Sequence, residues 1–200
     1  AVIVVGAVAG LELTATIPAP LAGIMVGLSG SEAMTDKLRR VLEPLGARTF
    51  AAQRSALRAL PLSMEIASLC DGTPRYLVFT SANGVREFFR RLKAEREDVC
   101  RLILTGEAER VDLRRLAACR FAVIGAATGE ALADYGFQAD LRPETYTTAD
   151  LAQVLLSAVP PQEEICLLRS RQGSKELFQT LAAARNVRDI HLYDAVSLPL

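Results

Sequence analysis

Two stretches of the chain place hydroxyl-bearing and glycine residues where an apolar run gives way to a helical pattern. The first is Tyr76-Leu77-Val78-Phe79-Thr80-Ser81-Ala82-Asn83-Gly84-Val85. Its apolar run predicts a buried strand. Val85, Phe88, Phe89 and Leu92 then fall at i, i+3, i+4 and i+7 of a following helix. Either Thr80 or Ser81 is placed to cap that helix. A helix start collects unpaired backbone N–H groups, and the chemistry this favours is the holding of anions. Ligands of open α/β sheets bind at such strand ends, although any α/β domain has several of these junctions.

The second stretch is Phe121-Ala122-Val123-Ile124 running into Gly125-Ala126-Ala127-Thr128-Gly129. Thr128, Ala131, Leu132 and Tyr135 share one face of the helix that follows, and Gly136 is placed to end it. Gly125 lets the backbone come close to a ligand, and Thr128 adds a hydroxyl in the first turn. Gly125 and Gly129 have no third glycine in register and no acidic ribose partner downstream, so a dinucleotide site is rejected. No GKS or GKT occurs, which removes a P-loop. No Ser-x-x-Lys or GxSxG occurs either, so covalent hydrolysis is unsupported.

The elements that must position these residues alternate. Ile24–Leu28 reads as a strand, and Met34, Leu38, Val41, Leu42 and Leu45 mark a helix ended by Gly46. Ala47–Phe50 extends again. Gln53–Pro61 has little periodicity and reads as a crossing segment, and Leu62, Ile66 and Leu69 suggest a short helix stopped by Asp71-Gly72. Then come strand 76–80, helix 83–94, a weaker strand 101–104, strand 121–124, helix 126–135 and an extended piece 137–141. Thr147 or Thr148 opens a helix bearing Leu151, Val154 and Leu155, and Thr147 with Asp150 fits a capping box. Ile165–Leu168, Ser174–Ala184 and Val187–Tyr193 complete the series as strand, helix and strand. Such alternation predicts a parallel, doubly wound sheet.

Composition narrows the function classes. Lys plus Arg and Asp plus Glu balance at 23 each, leaving no global field to attract nucleic acid. Arg86, Arg90, Arg91, Lys93 and Arg96 share a helix face opposite the apolar one and read as a solvated face. Cys70, Cys100, Cys119 and Cys166 form no CxxC pair, and the single His excludes a His-rich metal site. No metal and no cofactor are expected. Residues 1 to 28 are apolar but broken by Glu12, Pro18, Pro20 and glycines, so neither a spanning helix nor a clear signal peptide is present and a cytoplasmic location is expected.

Phe79-Thr80-Ser81-Ala82-Asn83-Gly84-Val85 resembles the FTSxxxV element of the uroporphyrinogen-III synthase family, and Ile124-Gly125-Ala126-Ala127-Thr128 resembles its IGxxT element. Pro143 to Leu151 is similar to the P-x-x-Y-T-x-x-x-L stretch that follows in the family. Leu167-Leu168-Arg169 and Tyr193 match a strand ending in Arg and a strand ending in Tyr. Each motif is weak alone, and their order across residues 76 to 193 gives the resemblance its specificity. Ala1-Val2-Ile3-Val4-Val5-Gly6 and Pro20-Leu21-Ala22-Gly23 look like the tail of a uroporphyrinogen-III C-methyltransferase and its linker, as in fusions serving sirohaem and cobalamin.

The resemblance implies a bilobal α/β fold of two doubly wound parallel-sheet lobes joined by two crossing segments. Residues 1–20 would be the methyltransferase tail and linker. Residues 21–52 plus 194–200 would form a first lobe that is incomplete in this chain, and 53–193 the second lobe. Two departures accompany it: Leu28-Ser29 stands where the family usually has Thr-Arg, and the link from Asp98 to Val111 is longer than usual.

The implied activity is a lyase reaction that cyclises hydroxymethylbilane with inversion of its last ring and loss of water. The implied partners are that substrate, hydroxymethylbilane synthase and a fused methyltransferase domain. An alternative is a non-catalytic tetrapyrrole-binding or regulatory module of the same fold. The substrate's carboxylates would be held by Thr80, Ser81, Ala82 and Asn83, chiefly through backbone amides, and by a second cradle at Gly125 and Thr128. Arg169 would add a charge-assisted bond, or is a surface residue at a strand end. Tyr193 is the candidate acid, since a phenol can give a proton to a departing hydroxyl, or is a tyrosine packed between lobes. Tyr146, before a capped helix, reads as structural. His191 alternates with Ile190 and Leu192, has no carboxylate partner evident nearby, and reads as a surface or edge residue.

Overall fold

A computed structural model describes residues 19–60, 66, 68–103 and 113–199. Nearly all of the segment read as a methyltransferase tail and linker, and most of the short helix expected around Leu62, lie outside these residues. The chain divides into two units, Ala1–Ala56 with Val196–Leu200, and Leu57–Ala195.

In the first unit β1 (Met25–Gly30) leads through Ser31 into α1 (Glu32–Leu42). The Ser31 hydroxyl accepts a hydrogen bond from the Met34 N–H, the usual remedy for an unpaired donor at a helix start. A 3₁₀ turn, Glu43–Leu45, ends at Gly46 with φ 92°, where a Cβ would lie 2.7 Å from that of Ala19. Glycine is required there by both conformation and space. β2 (Arg48–Ala59) then pairs parallel with β1, with a register shift after Leu28.

The second unit holds β3 (Arg75–Phe79), α2 (Ala82–Ile103), β4 (Cys119–Val123), α3 (Ala126–Ala133), α4 (Thr148–Ala158), β5 (Glu164–Ser170), α5 (Lys175–Ala182) and β6 (Val187–Leu198). Its strands lie in the order β4-β3-β5-β6, all parallel. Every residue of β3 is buried, and its alternation feeds two layers. Leu77 and Phe79 pack with Val85, Phe88, Phe89 and Leu92 of α2 and Leu132 of α3. Tyr76 and Val78 pack with Leu151 and Leu155 of α4 and Leu177 and Leu181 of α5. Burying each large apolar side chain contributes about 2 kcal/mol, so this two-faced sheet accounts for the near-continuous apolar strands.

The expected strand at 101–104 is corrected: Arg101–Ile103 continue α2, and Leu104 lies outside the described residues. Ala94 to Ile103 contains no Gly or Pro and consists mainly of good helix formers, so nothing stops the helix at Ala94. Gln53–Ala59, read as an aperiodic crossing, continues β2, and β6 runs on to Leu198. These extensions lack apolar alternation because their residues are half-buried or exposed, and polar pairs such as Gln53 Nε2–Ser197 Oγ at 2.9 Å add to them. β2 and β6 are the two strands that pass from one unit into the other.

Candidate functional site

α2 follows β3 on one face of the second unit's sheet, and α5 follows β5 on the other. β3 and β5 are neighbours, so the crevice outside their carboxyl ends is the topological switch point, where such sheets bind ligands. The two junctions singled out in the sequence lie along this edge. They are tied directly, since the Ile124 N–H donates to the Phe79 carbonyl at 3.1 Å.

Ser81, not Thr80, caps α2. Its Oγ accepts from the Gly84 N–H at 3.0 Å, and its carbonyl accepts from Val85. Gly84 lies against β5 so closely that a Cβ would be 3.0 Å from the Leu168 carbonyl oxygen. Ala82 is half-buried against the core and Asn83 is exposed. α2 and α3 carry no acidic residue in their first turns, whereas α1, α4 and α5 carry Glu32, Asp150 and Glu176. The two helix starts at the candidate site are therefore the ones left uncompensated among these five, which favours an anion there.

Tyr193 completes this half of the site. Its hydroxyl lies 2.9 Å from Ser81 Oγ, and the residue is only 6% exposed. A register shift puts it there: Arg169 pairs with His191 but Ser170 pairs with Tyr193, so Leu192 is an extra residue on β6. Leu192 and Tyr193 consequently enter the same core cluster on the α2 face. Bulges of this kind re-aim a side chain next to a site. The Leu192 carbonyl at the bulge accepts from the Leu60 N–H at 3.1 Å and from Arg91 Nη2 at 2.9 Å. α2 thus holds both the phenol, through Ser81, and the backbone beside it, through Arg91.

The other expected residues are placed differently. Gly125 caps α3 in extended conformation, and a Cβ there would sit 3.1 Å from Cγ of Tyr146, whose exposed ring covers this glycine. Thr128 is buried and its N–H donates to the Gly125 carbonyl. A ligand approaching the second junction meets the Tyr146 ring first. Arg169 is 3% exposed, with its fork bidentate on Asp189 at 2.7 and 2.6 Å and its third nitrogen on the Ser174 carbonyl at 3.0 Å. It joins β5, β6 and the start of α5, and does not present an unpaired charge. His191 is corrected: it has a carboxylate partner, Asp189 Oδ2 at 3.1 Å, two residues earlier on the same strand.

The sequence reading missed Asp194 and the two arginines around it, Arg58 and Arg171. An aspartate directly after the apolar pair Leu192-Tyr193 was the available signal, because buried carboxylates demand partners. Among the described residues no group of three His, Cys, Asp or Glu side chains is placed to hold a metal ion. No described helix is long and apolar enough to cross a membrane.

The chain is similar in fold to uroporphyrinogen III synthase from the extremely thermophilic bacterium Thermus thermophilus. A mutant crystal form matches with a TM-score of 0.61 at 19% identity, covering 88% of this chain and 64% of that one. The wild-type form-2 crystal matches with a TM-score of 0.53 at 19% identity, covering 88% and 63%. The chain therefore spans less than two thirds of these proteins' length. No curated protein sequence matches it. The model of the family described as uroporphyrinogen-III synthase HemD matches residues 36–199, which takes in both junctions, Arg169 and Tyr193, and the chain belongs to that family.

Proposed function

We propose that the protein cyclises hydroxymethylbilane to uroporphyrinogen III, inverting the last pyrrole ring and releasing water, with Tyr193 as the proton donor. The observation that carries this reading is the Tyr193–Ser81 hydrogen bond at the switch point of a chain in this family. In the dehydrating step the substrate's terminal C–O bond breaks, and the Tyr193 O–H gives its proton to the departing hydroxyl as water. The phenolate left behind is stabilised by the Ser81 O–H and by the positive end of α2. Ring closure then releases a proton from the attacked pyrrole carbon, which restores the phenol. The amides of Thr80 to Asn83 hold substrate carboxylates, with Gly125 and Thr128 as a second cradle once the Tyr146 ring swings aside. Arg169 acts by keeping β5, β6 and α5 in register.

The same reading puts the protein in the cytoplasm. A methyltransferase tail and linker occupy residues 1–20, and the synthase lobes cover 21–52 with 194–200 and 53–193. Hydroxymethylbilane synthase is the supplier, and haem, sirohaem or cobalamin the branch served. A coupled assay tests it. Hydroxymethylbilane is generated in place, and the ratio of uroporphyrin I to III is read after oxidation, for the full-length protein. Type III product supports the synthase. Type I alone, from folded protein, leaves the non-catalytic tetrapyrrole-binding module.

A further inference from the structure

We propose that Arg58 and Arg171 form a carboxylate-binding subsite, held in place by the buried carboxylate of Asp194. Asp194 is 3% exposed, and its Oδ2 alone receives both cations: Arg58 Nη2 at 3.0 Å and Arg171 Nη1 at 3.5 Å. Its second oxygen, Oδ1, is buried with no hydrogen-bond partner among the described residues. Two positive charges therefore converge on one negative charge, and the trio is short of one anion. The guanidinium side chains are 66% and 56% exposed. Among the described contacts each uses one nitrogen on Asp194, so the remaining N–H groups face solvent in the forked arrangement that fits a carboxylate.

A structural ion pair is a poor account of this arrangement. Exposed pairs contribute little to stability, and burying Asp194 costs desolvation that an apolar residue at the same place would avoid. The loop that carries Arg171 is also pinned. The Arg171 N–H donates to the Tyr193 carbonyl at 3.0 Å, and the Gln172 side chain exchanges two hydrogen bonds with the Ala195 backbone, at 3.2 and 3.1 Å. Preorganisation of this kind removes ordering cost from ligand binding. The bulge turns Tyr193 to the α2 face, and alternation turns Asp194 to the other. Tyr193 and Asp194 are adjacent on β6, so a ligand held by the arginine pair lies one residue along the strand from the phenol. The ligand class is a flexible polycarboxylate, an assignment that rests on the synthase reading.

Two probes separate the subsite from that reading: uroporphyrin III, an octacarboxylate followed by its fluorescence, and benzenehexacarboxylate, followed by calorimetry. Full-length protein, R58Q, R171Q and the control R86Q are compared after circular dichroism confirms folding. Each of R58Q and R171Q should weaken both probes about tenfold, the loss expected for one charge-assisted bond. R86Q should bind like wild type, and the difference should shrink at high salt. If uroporphyrin fails on wild type but benzenehexacarboxylate binds through these arginines, the subsite stands, and the synthase reading is decided separately by the ratio of type I to type III product. Equal affinity of all variants, or no binding of either probe to wild type, overturns the subsite.

Discussion

The two ends of the same four strands in the second unit are built on opposite plans. At the amino end nearly every charge is answered. Arg75, the first residue of β3, reaches the Ser68 carbonyl at 2.8 Å, Asp71 at 3.0 Å and Glu164 at 3.3 Å. Arg188 of β6 doubles onto Glu164 at 3.1 and 2.6 Å. The Thr73 backbone N–H, with help from Arg75, holds the Asp71 carboxyl down to about 2. Burial alone would raise Glu164, yet the Arg188 hydrogen bond and charge outweigh it and leave the carboxyl below its ordinary range. Burial pushes the neighbouring Cys166 thiol up to about 12, which keeps it inert. At the carboxyl end the strands finish instead in hydroxyls, uncompensated helix starts and two exposed guanidiniums. A parallel sheet sends all its ends of one kind to one edge, so locking and binding can be assigned to different edges.

The comparison breaks first at Arg75. Arg75→Met should cost about 3 kcal/mol, because it removes the buried guanidinium's charge-assisted bonds to the Ser68 carbonyl and to Asp71, while Glu164 keeps Arg188. Urea unfolding would read the loss, while the proportion of type III product per folded molecule should not move. A changed product ratio would mean that the two edges are coupled. Tyr193→Phe should do the reverse. Turnover falls about 100-fold, within the range of general-acid contributions, and the urea midpoint shifts little; unchanged turnover removes Tyr193 from the acid role.

Smaller effects sharpen the picture. Ser81→Ala removes both the cap and the phenol's partner, so turnover should drop about tenfold and stability by about 1 kcal/mol. Loss of stability alone would reduce Ser81 to a cap. The smallest effect is acid loss. Asp71 and Glu164 are depressed in the folded state, so their contribution is fully present above their ordinary values and fades as pH falls through the depressed ones. For Asp71 that window runs from about pH 4 down to about pH 2. Asp71→Asn should flatten the stability curve there, and an unaltered curve would show that its pairing carries no weight.

Most of the scaffold was legible because the apolar strands and amphipathic helices obey simple periods: the β3–α2 and β4–α3 junctions fall where the sequence puts them. Ser81 and Tyr193 were legible as types but not as a pair. Regular alternation puts Tyr193 on the face of His191, and only the extra residue Leu192, which no composition signal marks, turns it toward Ser81. Arg169 was legible as a strand-end cation, whereas its commitment to Asp189 depends on two strands coming into register. The polar ends of β2 and β6 escaped notice because strand periodicity reports burial, and the residues of these segments are half-buried or exposed.

The Ser81–Tyr193 contact joins residues 112 positions apart, and Arg91 meets the Leu192 carbonyl across 101. A ribosome adding about 5–20 residues per second needs on the order of ten seconds to pass from one to the other. Until β6 arrives, the edge of the sheet that it will cover stays open, and α2 has no strand for Arg91 to hold. Contacts of such separation are slow to close, so the site is assembled after its scaffold. A nascent chain at this stage is the form most in need of a chaperone, because its unpaired edge is a template for the wrong neighbour.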